Sequence, residues 1–417
     1  MSKSKITVFT VIAVVLGVLA IELITRGGFI VFGRYDGFKG AGWGYPSYIY
    51  AYRPYIGYAY QPSEDGRDQY GFSLASKDDP QRDLTQKDVC EFRVFMLGGS
   101  TVLGRHLTSK DDTLPARLER LLNAKSPPGI SYSVINAGKP AYISVQTFLE
   151  HALYIKYSLQ PDFVIHFDGS NDSVGHPKYW PNEKYPGVRD NIPRYTEDLF
   201  SKINSITGLK GSLNALIRNL ANYSAFMFAL HKTINDPSAW TRRILDKDVL
   251  IDKENGMSMT EWVEKHVNRY IYNVGLATRL GDRDTGVAYI FQPTMLPYME
   301  RWMTPTQMGL LDRSDYVTEF HGYPLMDSKQ LYYFRVREEF EKLVANNDSE
   351  FATISDLSRL FDKKTPGEYF QVSPPDAVHY LPKGKDIVAP EIAKIIQPSI
   401  KKQIQNDPEF NQCFVGS

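Results

Sequence analysis

From Phe92 onward the chain alternates short apolar runs with amphipathic ones, and that alternation constrains the fold more than any other feature. "FRVFML" reads as a strand, and "TLPARLERLLNA" carries Leu114, Leu118, Leu121 and Leu122 at helical spacing. "YSVINAG" is a second strand ending in glycine, "SVQTFLEHALYIKYSL" a second helix, and "PDFVIHFDGSND" a third strand with its turn. "GVAYIFQP" and "FATISDLS" follow as strands, and "IVAPEIAKIIQPSIKKQI" closes the chain as a helix. Strands separated by helices pair in parallel through right-handed crossovers, so the expected fold class is α/β with a parallel sheet. Between Ser173 and Asp284 lies an expected insertion, with helical stretches at Leu213–Ala229 and Met259–Leu280. It reads equally well as a lid over the site or as plain packing.

In such a sheet, ligands bind beyond the carboxyl ends of the strands. Three polar or glycine turns fall there: Gly98-Gly99-Ser100, Asn136-Ala137-Gly138 and Gly169-Ser170-Asn171-Asp172. The fold therefore gathers them on one rim. Glycines at a strand-to-helix turn remove Cβ groups and allow a sharp bend with close substrate approach. Ser100 in that turn is either a helix cap or a nucleophile. The phosphate-binding pattern Gly-x-x-x-x-Gly-Lys-Ser/Thr is absent.

A serine nucleophile needs a base, and eight histidines are available. His151 and His166 lie in helix and strand patterns. His231, His266 and His321 lie in or beside the insertion, and His176 follows the Asn171 turn. His106 has no evident carboxylate to orient it. His379 differs: "PPDAVHYLPKGKDIVAPEI" places Asp376 three residues before it, on an extended or turn-like stretch leading into the last helix. At that spacing one helical turn would bring both side chains to one face. The aspartate would then hold Nδ1–H while Nε2 faces Ser100. Acyl transfer also needs donors for a developing oxyanion, and Ser100 N–H, Gly138 N–H and the Asn171 amide are the candidates.

The amino-terminal segment is separate in character. Ile6 to Ile24 is apolar except for Glu22, and as a helix it spans about 30 Å, one bilayer core. Lys3 and Lys5 precede it, so the expected arrangement is a transmembrane anchor over residues 1–26 with the remainder extracytoplasmic. A cleaved signal peptide, with Val18-Leu19-Ala20 near its end, and a buried helix are the alternatives. Residues 27–90 are rich in Gly, Tyr and Pro and are expected to form a membrane-proximal subdomain, with 91–417 as the main domain. That subdomain either packs on the main domain or offers an aromatic face to a glycan. Lys+Arg and Asp+Glu balance at 48 each, so no basic surplus points to nucleic acid. The two cysteines, Cys90 and Cys413, bracket the soluble part and would either bridge in an oxidising compartment or remain separate thiols.

Taken in order, Gly98-Gly99-Ser100-Thr101, Asn136-Ala137-Gly138, Gly169-Ser170-Asn171-Asp172 and Asp376-x-x-His379 resemble the blocks of the SGNH (GDSL-type) hydrolase superfamily. The resemblance covers about residues 92–403. It implies a flavodoxin-like three-layer α/β/α sandwich and serine esterase or acyl-transfer chemistry, without a metal or other cofactor. It further implies Ser100 as nucleophile, His379 as base, Asp376 as its orienter, and Ser100, Gly138 and Asn171 around the oxyanion. Two positions depart from the pattern. Gly99 stands where Asp is usual, and Lys139-Pro140 stand where a small residue and glycine are usual. Lys139 reads as a solvated side chain, with a contact to an anionic substrate as the alternative.

The leading functional expectation is a membrane-anchored esterase removing O-acyl, often acetyl, groups from an envelope carbohydrate. An O-acyltransferase working beside a membrane partner would use the same Ser-His-Asp set. A non-catalytic carbohydrate-binding or scaffold protein is the third reading.

Overall fold

A computed structural model describes residues 3–31, 50–53, 55–60, 68–73, 83–104, 110–174, 224, 226–227, 258–295, 319–320, 323–364, 368–372 and 375–414. The chain divides into two compact units, residues 1–52 with 193–250 and residues 53–192 with 251–417. In the first, α1 runs from Lys3 to Val31. Its Glu22 pairs with Arg26 at 2.7 Å and accepts from Ser224 Oγ at 2.7 Å. Among the described residues no helix is long and apolar enough to cross a membrane.

The second unit is built on five parallel strands: β1 (Glu91–Gly98), β2 (Ser131–Gly138), β3 (Phe163–Asp168), β4 (Gly286–Phe291) and β5 (Ala352–Asp356). Their spatial order is β2-β1-β3-β4-β5, so the chain reverses its direction of winding beside β1. Every residue of β1, β3 and β4 is buried, as expected of strands covered on both faces. Phe92, Val94 and Met96 point to one face, where they meet Leu114, Leu118 and Leu122 of α3 (Leu114–Asn123) and Ile392, Ile396 and Ile400 of α7 (Pro382–Asn406). On the other face, Tyr289 and Phe291 pack against α5 (Met259–Thr278) and α6 (Leu325–Ala345). Helix α4 (Ser144–Glu150) lies on that second face too, with Thr147 and Glu150 fully buried.

Two segments outside the strand–helix alternation pack on the sheet. By sequence Met259–Thr278 belongs to the insertion, but Val263, Val267, Tyr270 and Val274 bury against β4, making α5 the crossover helix between β3 and β4. An apolar stripe that seals one face of a sheet belongs to the sandwich itself. Likewise, described residues between Arg53 and Cys90 fall in the same compact unit as the sheet. Phe72 and Leu84 sit in the same cluster as Phe95 and Leu97. Buried Arg93 donates to the carbonyls of Leu84, Gln86 and Leu159 at 2.6, 2.6 and 2.9 Å. The aromatic residues 32–49, the helical stretch expected at Leu213–Ala229 apart from residues 224 and 226–227, and His106, His176, His231 and His321 lie outside the described residues.

Cys90, just before β1, and Cys413, after the last helix, form a disulfide with Cα atoms 5.8 Å apart, closing a separation of 323 residues. A crosslink over so long a loop restricts the unfolded chain strongly. Replacing both cysteines by serine is expected to remove about 2–5 kcal/mol of stability, measured as a lower denaturant midpoint with an unchanged far-UV spectrum.

Candidate active site

The parallel register sets the rim. Gly98 lies opposite Gly138 of β2 and Phe167 of β3. A Cβ on Gly98 would collide with the Phe167 carbonyl oxygen, and one on Gly138 with the Leu103 amide nitrogen. Both positions therefore admit only glycine, which lets α2 (Ser100–Leu103) tuck against the ends of β1 and β2. That short helix fixes Ser100, which is 8% exposed.

His379 arrives from the far end of the sequence. It lies on β7 (Pro375–Tyr380), which pairs antiparallel with β6 (Phe370–Val372). Its Nε2 lies 2.7 Å from Ser100 Oγ across 279 positions of sequence. The neighbouring Tyr380 is buried and donates its hydroxyl to the Pro293 carbonyl at 2.5 Å, which holds this end of the hairpin on the sheet. The stretch carrying Asp376 and His379 is extended, as a strand rather than a turn. Regular strand would put positions three apart on opposite faces. Here, however, the register skips: Phe370 faces Tyr380 whereas Gln371 faces Asp376. Ala377, Val378 and His379 thus form a bulge that re-aims the imidazole. The Asp376 side chain lies outside what is described.

The third turn contributes Asn171, whose Nδ2 donates to the Tyr142 carbonyl at 2.8 Å. A Cβ on Gly99 would come within 2.5 Å of that same nitrogen. This close approach gives a physical reason for glycine where the resembling family has aspartate: a side chain at 99 would compete with the Asn171 amide for one place. Gly138 differs from expectation. Its N–H donates to Asn136 Oδ1 at 3.1 Å, so a side chain of its own strand engages it in this conformation. Ser100, His379 and Asn171 are thus brought together at the rim, while Gly138 serves mainly as the surface on which α2 packs.

Lys139 overturns both of its sequence readings. It is 1% exposed, with Nζ 2.6 Å from Glu150 Oε1, and it faces neither solvent nor a substrate. Burial pulls its ammonium below the ordinary lysine range, and the Glu150 carboxylate opposes that pull.

Beneath Asn171 lies a polar cluster that sequence reasoning missed. Asp172 accepts from Ser144 N–H at 3.1 Å and from its hydroxyl at 2.5 Å, and Asn273 donates to that hydroxyl at 2.8 Å. Asp168, at the end of β3, accepts from Thr147, Tyr270 and Tyr289 at 2.9, 3.1 and 2.7 Å. The one visible signal is Asp172 following Asn171, and a turn aspartate is too common to be informative. Burial and the neighbouring Asp168 push Asp172 up to about 8, and burial pushes Asp168 up to about 6. Among the described residues no group of three His, Cys, Asp or Glu side chains is placed to hold a metal ion.

No protein-family model matches the chain, and no curated protein matches it. Similar solved structures include the lipase Lip_vut3 from a goat rumen metagenome, at 11% identity over 73% of this chain and 97% of that one, with TM-score 0.38. A lipase/acylhydrolase from Enterococcus faecalis aligns at 14% identity over 73% and 95%, with TM-score 0.34. A single-substitution variant of Axe2, an acetyl xylan esterase from Geobacillus stearothermophilus, aligns at 12% identity over 73% and 94%, with TM-score 0.34. Likenesses of this size carry no argument about chemistry.

An acid raised in the fold binds its proton more tightly folded than unfolded, so its contribution to stability is full at low pH and is lost as pH rises through the folded value. Thermal stability is therefore expected to decline from the ordinary carboxylate value of 3.8 toward about 8. The Asp172→Asn variant is expected to show a flatter profile above about 6, the value around which Asp168 itself titrates. Melting curves across that range check it.

Proposed function

We propose that this protein is a serine esterase of SGNH type, with a flavodoxin-like sandwich, that removes O-acyl groups from an envelope carbohydrate. The reading rests on one observation: the 2.7 Å contact between Ser100 Oγ and His379 Nε2. A serine hydroxyl is a poor nucleophile until a base takes its proton, and that distance is a proton-transfer distance. A helix cap needs no imidazole.

In the proposed reaction Ser100 Oγ attacks the ester carbonyl carbon as its proton passes to His379 Nε2. The carbonyl electron pair moves to oxygen. Ser100 N–H, in the first turn of α2, has no intrahelical acceptor and donates to that oxyanion together with the Asn171 amide. Gly138 N–H, the third expected donor, joins only if Asn136 releases it. The leaving alcohol takes the proton from His379. Water then adds to the acyl-serine, giving its proton to His379, and the acid departs as Ser100 regains its own. Asp376 keeps the role its sequence position implies, holding the far side of the imidazole. Attachment to the bilayer through Ile6–Ile24, with the sheet extracytoplasmic, is part of the proposal. It is supported by the sequence run Ile6–Ile24, apolar except for Glu22, with Lys3 and Lys5 ahead of it. The Cys90–Cys413 disulfide fits an oxidising compartment.

Ser100→Ala is expected to abolish both aryl acetate turnover and labelling by a fluorophosphonate. Asn171→Ala should lower kcat by about 10²–10³, the usual cost of one oxyanion donor. Labelling that survives Ser100→Ala would move the nucleophile elsewhere. A wild-type protein without turnover or labelling would leave a binding or scaffold role.

A further inference from the structure

The turn between β2 and α4 is held by a buried ion pair that no motif includes. Lys139 and Glu150 are 1% and 0% exposed and meet at 2.6 Å. Arg53 Nη1 also reaches Glu150 Oε1, at 3.2 Å, and its guanidinium lies 3.8 Å from the Tyr154 ring centroid. The Lys139 ammonium stands 4.7 Å from the Phe72 ring centroid and 5.5 Å from that of Tyr142, within cation–π range. Lys139 and Tyr142 are the two ends of one turn, closed by a Tyr142 N–H to Lys139 carbonyl bond at 3.4 Å. Within it Ala141 adopts φ +60°, a left-handed conformation that a residue with a Cβ adopts only when its surroundings impose it.

Both ends of this turn reach the site. Lys139 N–H donates to the Gly98 carbonyl at 3.0 Å, two residues before Ser100. The Tyr142 carbonyl receives the Asn171 amide. A buried ion pair is a poor source of stability, since apolar residues of similar volume often serve equally well. Its use here has to be geometric.

We infer that the Lys139–Glu150 pair, backed by Arg53, is a positioning device that locks the Lys139–Tyr142 turn so that the Tyr142 carbonyl aims the Asn171 amide at the reacting carbonyl oxygen. This deepens the esterase reading and rests on it. Lys139 touches neither substrate nor Ser100; it acts through Asn171.

The test uses the full-length protein carrying Lys139→Met, Glu150→Gln, or the volume-preserving pair Lys139→Met with Glu150→Met, each with and without Asn171→Ala. Aryl acetate kinetics and the ¹⁵N side-chain amide signals of Asn171, assigned by their loss in Asn171→Ala, are recorded. The positioning role predicts kcat lower by about 10–100-fold with KM little changed. It also predicts that Asn171→Ala costs far less in these backgrounds than in wild type, and that the Asn171 amide signals shift or broaden. Lys139→Met leaves a carboxylate buried beside Arg53 alone. If that variant fails to fold, Glu150→Gln and the double substitution decide. Folded variants with unchanged amide signals, on which Asn171→Ala retains its full cost, would overturn the inference. Absence of Ser100-dependent turnover in wild type would instead remove the esterase reading, while the amide signals would still decide whether the pair holds Asn171.

Discussion

The approach of three strand ends at Gly98 governs everything at the rim. A parallel ladder fixes the relative height of its strands, and here it sets Gly98 level with Gly138 and Phe167. With any side chain at 98 the neighbouring strand would have to retreat. With it would go α2 and the hydroxyl that α2 presents. Residues separated by tens of positions are thereby set at one height before any of them has a chemical role. The contact with His379 then depends on the β6–β7 hairpin, whose bulge delivers the imidazole to a serine fixed by the sheet.

Much of this was legible from the amino acids. The parallel sheet followed from the alternation after Phe92, because strands buried on both faces read as unbroken apolar runs while helices keep one polar side. The three turns were legible for the same reason: glycine and asparagine where an apolar run stops. The crossover helix Met259–Thr278 is visible as a helix but not as a part of the sandwich. Its length and amphipathic stripe are the same whether it seals a sheet or decorates an insertion, and only contact with Tyr289 and Phe291 tells the two apart.

The misreadings share a cause. Lys139 reads as solvated because lysine usually is, and its partner Glu150 lies eleven positions on, in a helix whose buried face the sequence does not declare. Asp172 looks like a turn residue, and nothing local reveals that Ser144 and Asn273 close around it. The stretch with Asp376 and His379 reads as extended or turn-like, but the register skip that aims His379 depends on its pairing with β6. Charge pairing and strand register both depend on the partner. A single stretch of sequence does not contain it.

These buried polar groups bear on stability as well as on chemistry. A fold assembled only for stability would not enclose Asp168 and Asp172 near one another, nor bury Lys139 against Glu150, nor hold Ala141 in a left-handed conformation. Ala141 and Asp172 are the immediate neighbours in sequence of Tyr142 and Asn171, and the core on the opposite face of the sheet, packed by α3 and α7, is built of aliphatic and aromatic side chains. The apolar face holds the sandwich together, and the polar face tolerates a cost that only a fixed orientation of Asn171 would justify. That asymmetry between the two faces is the physical reason to look for catalytic positioning behind the second and third turns, rather than in the serine and histidine alone.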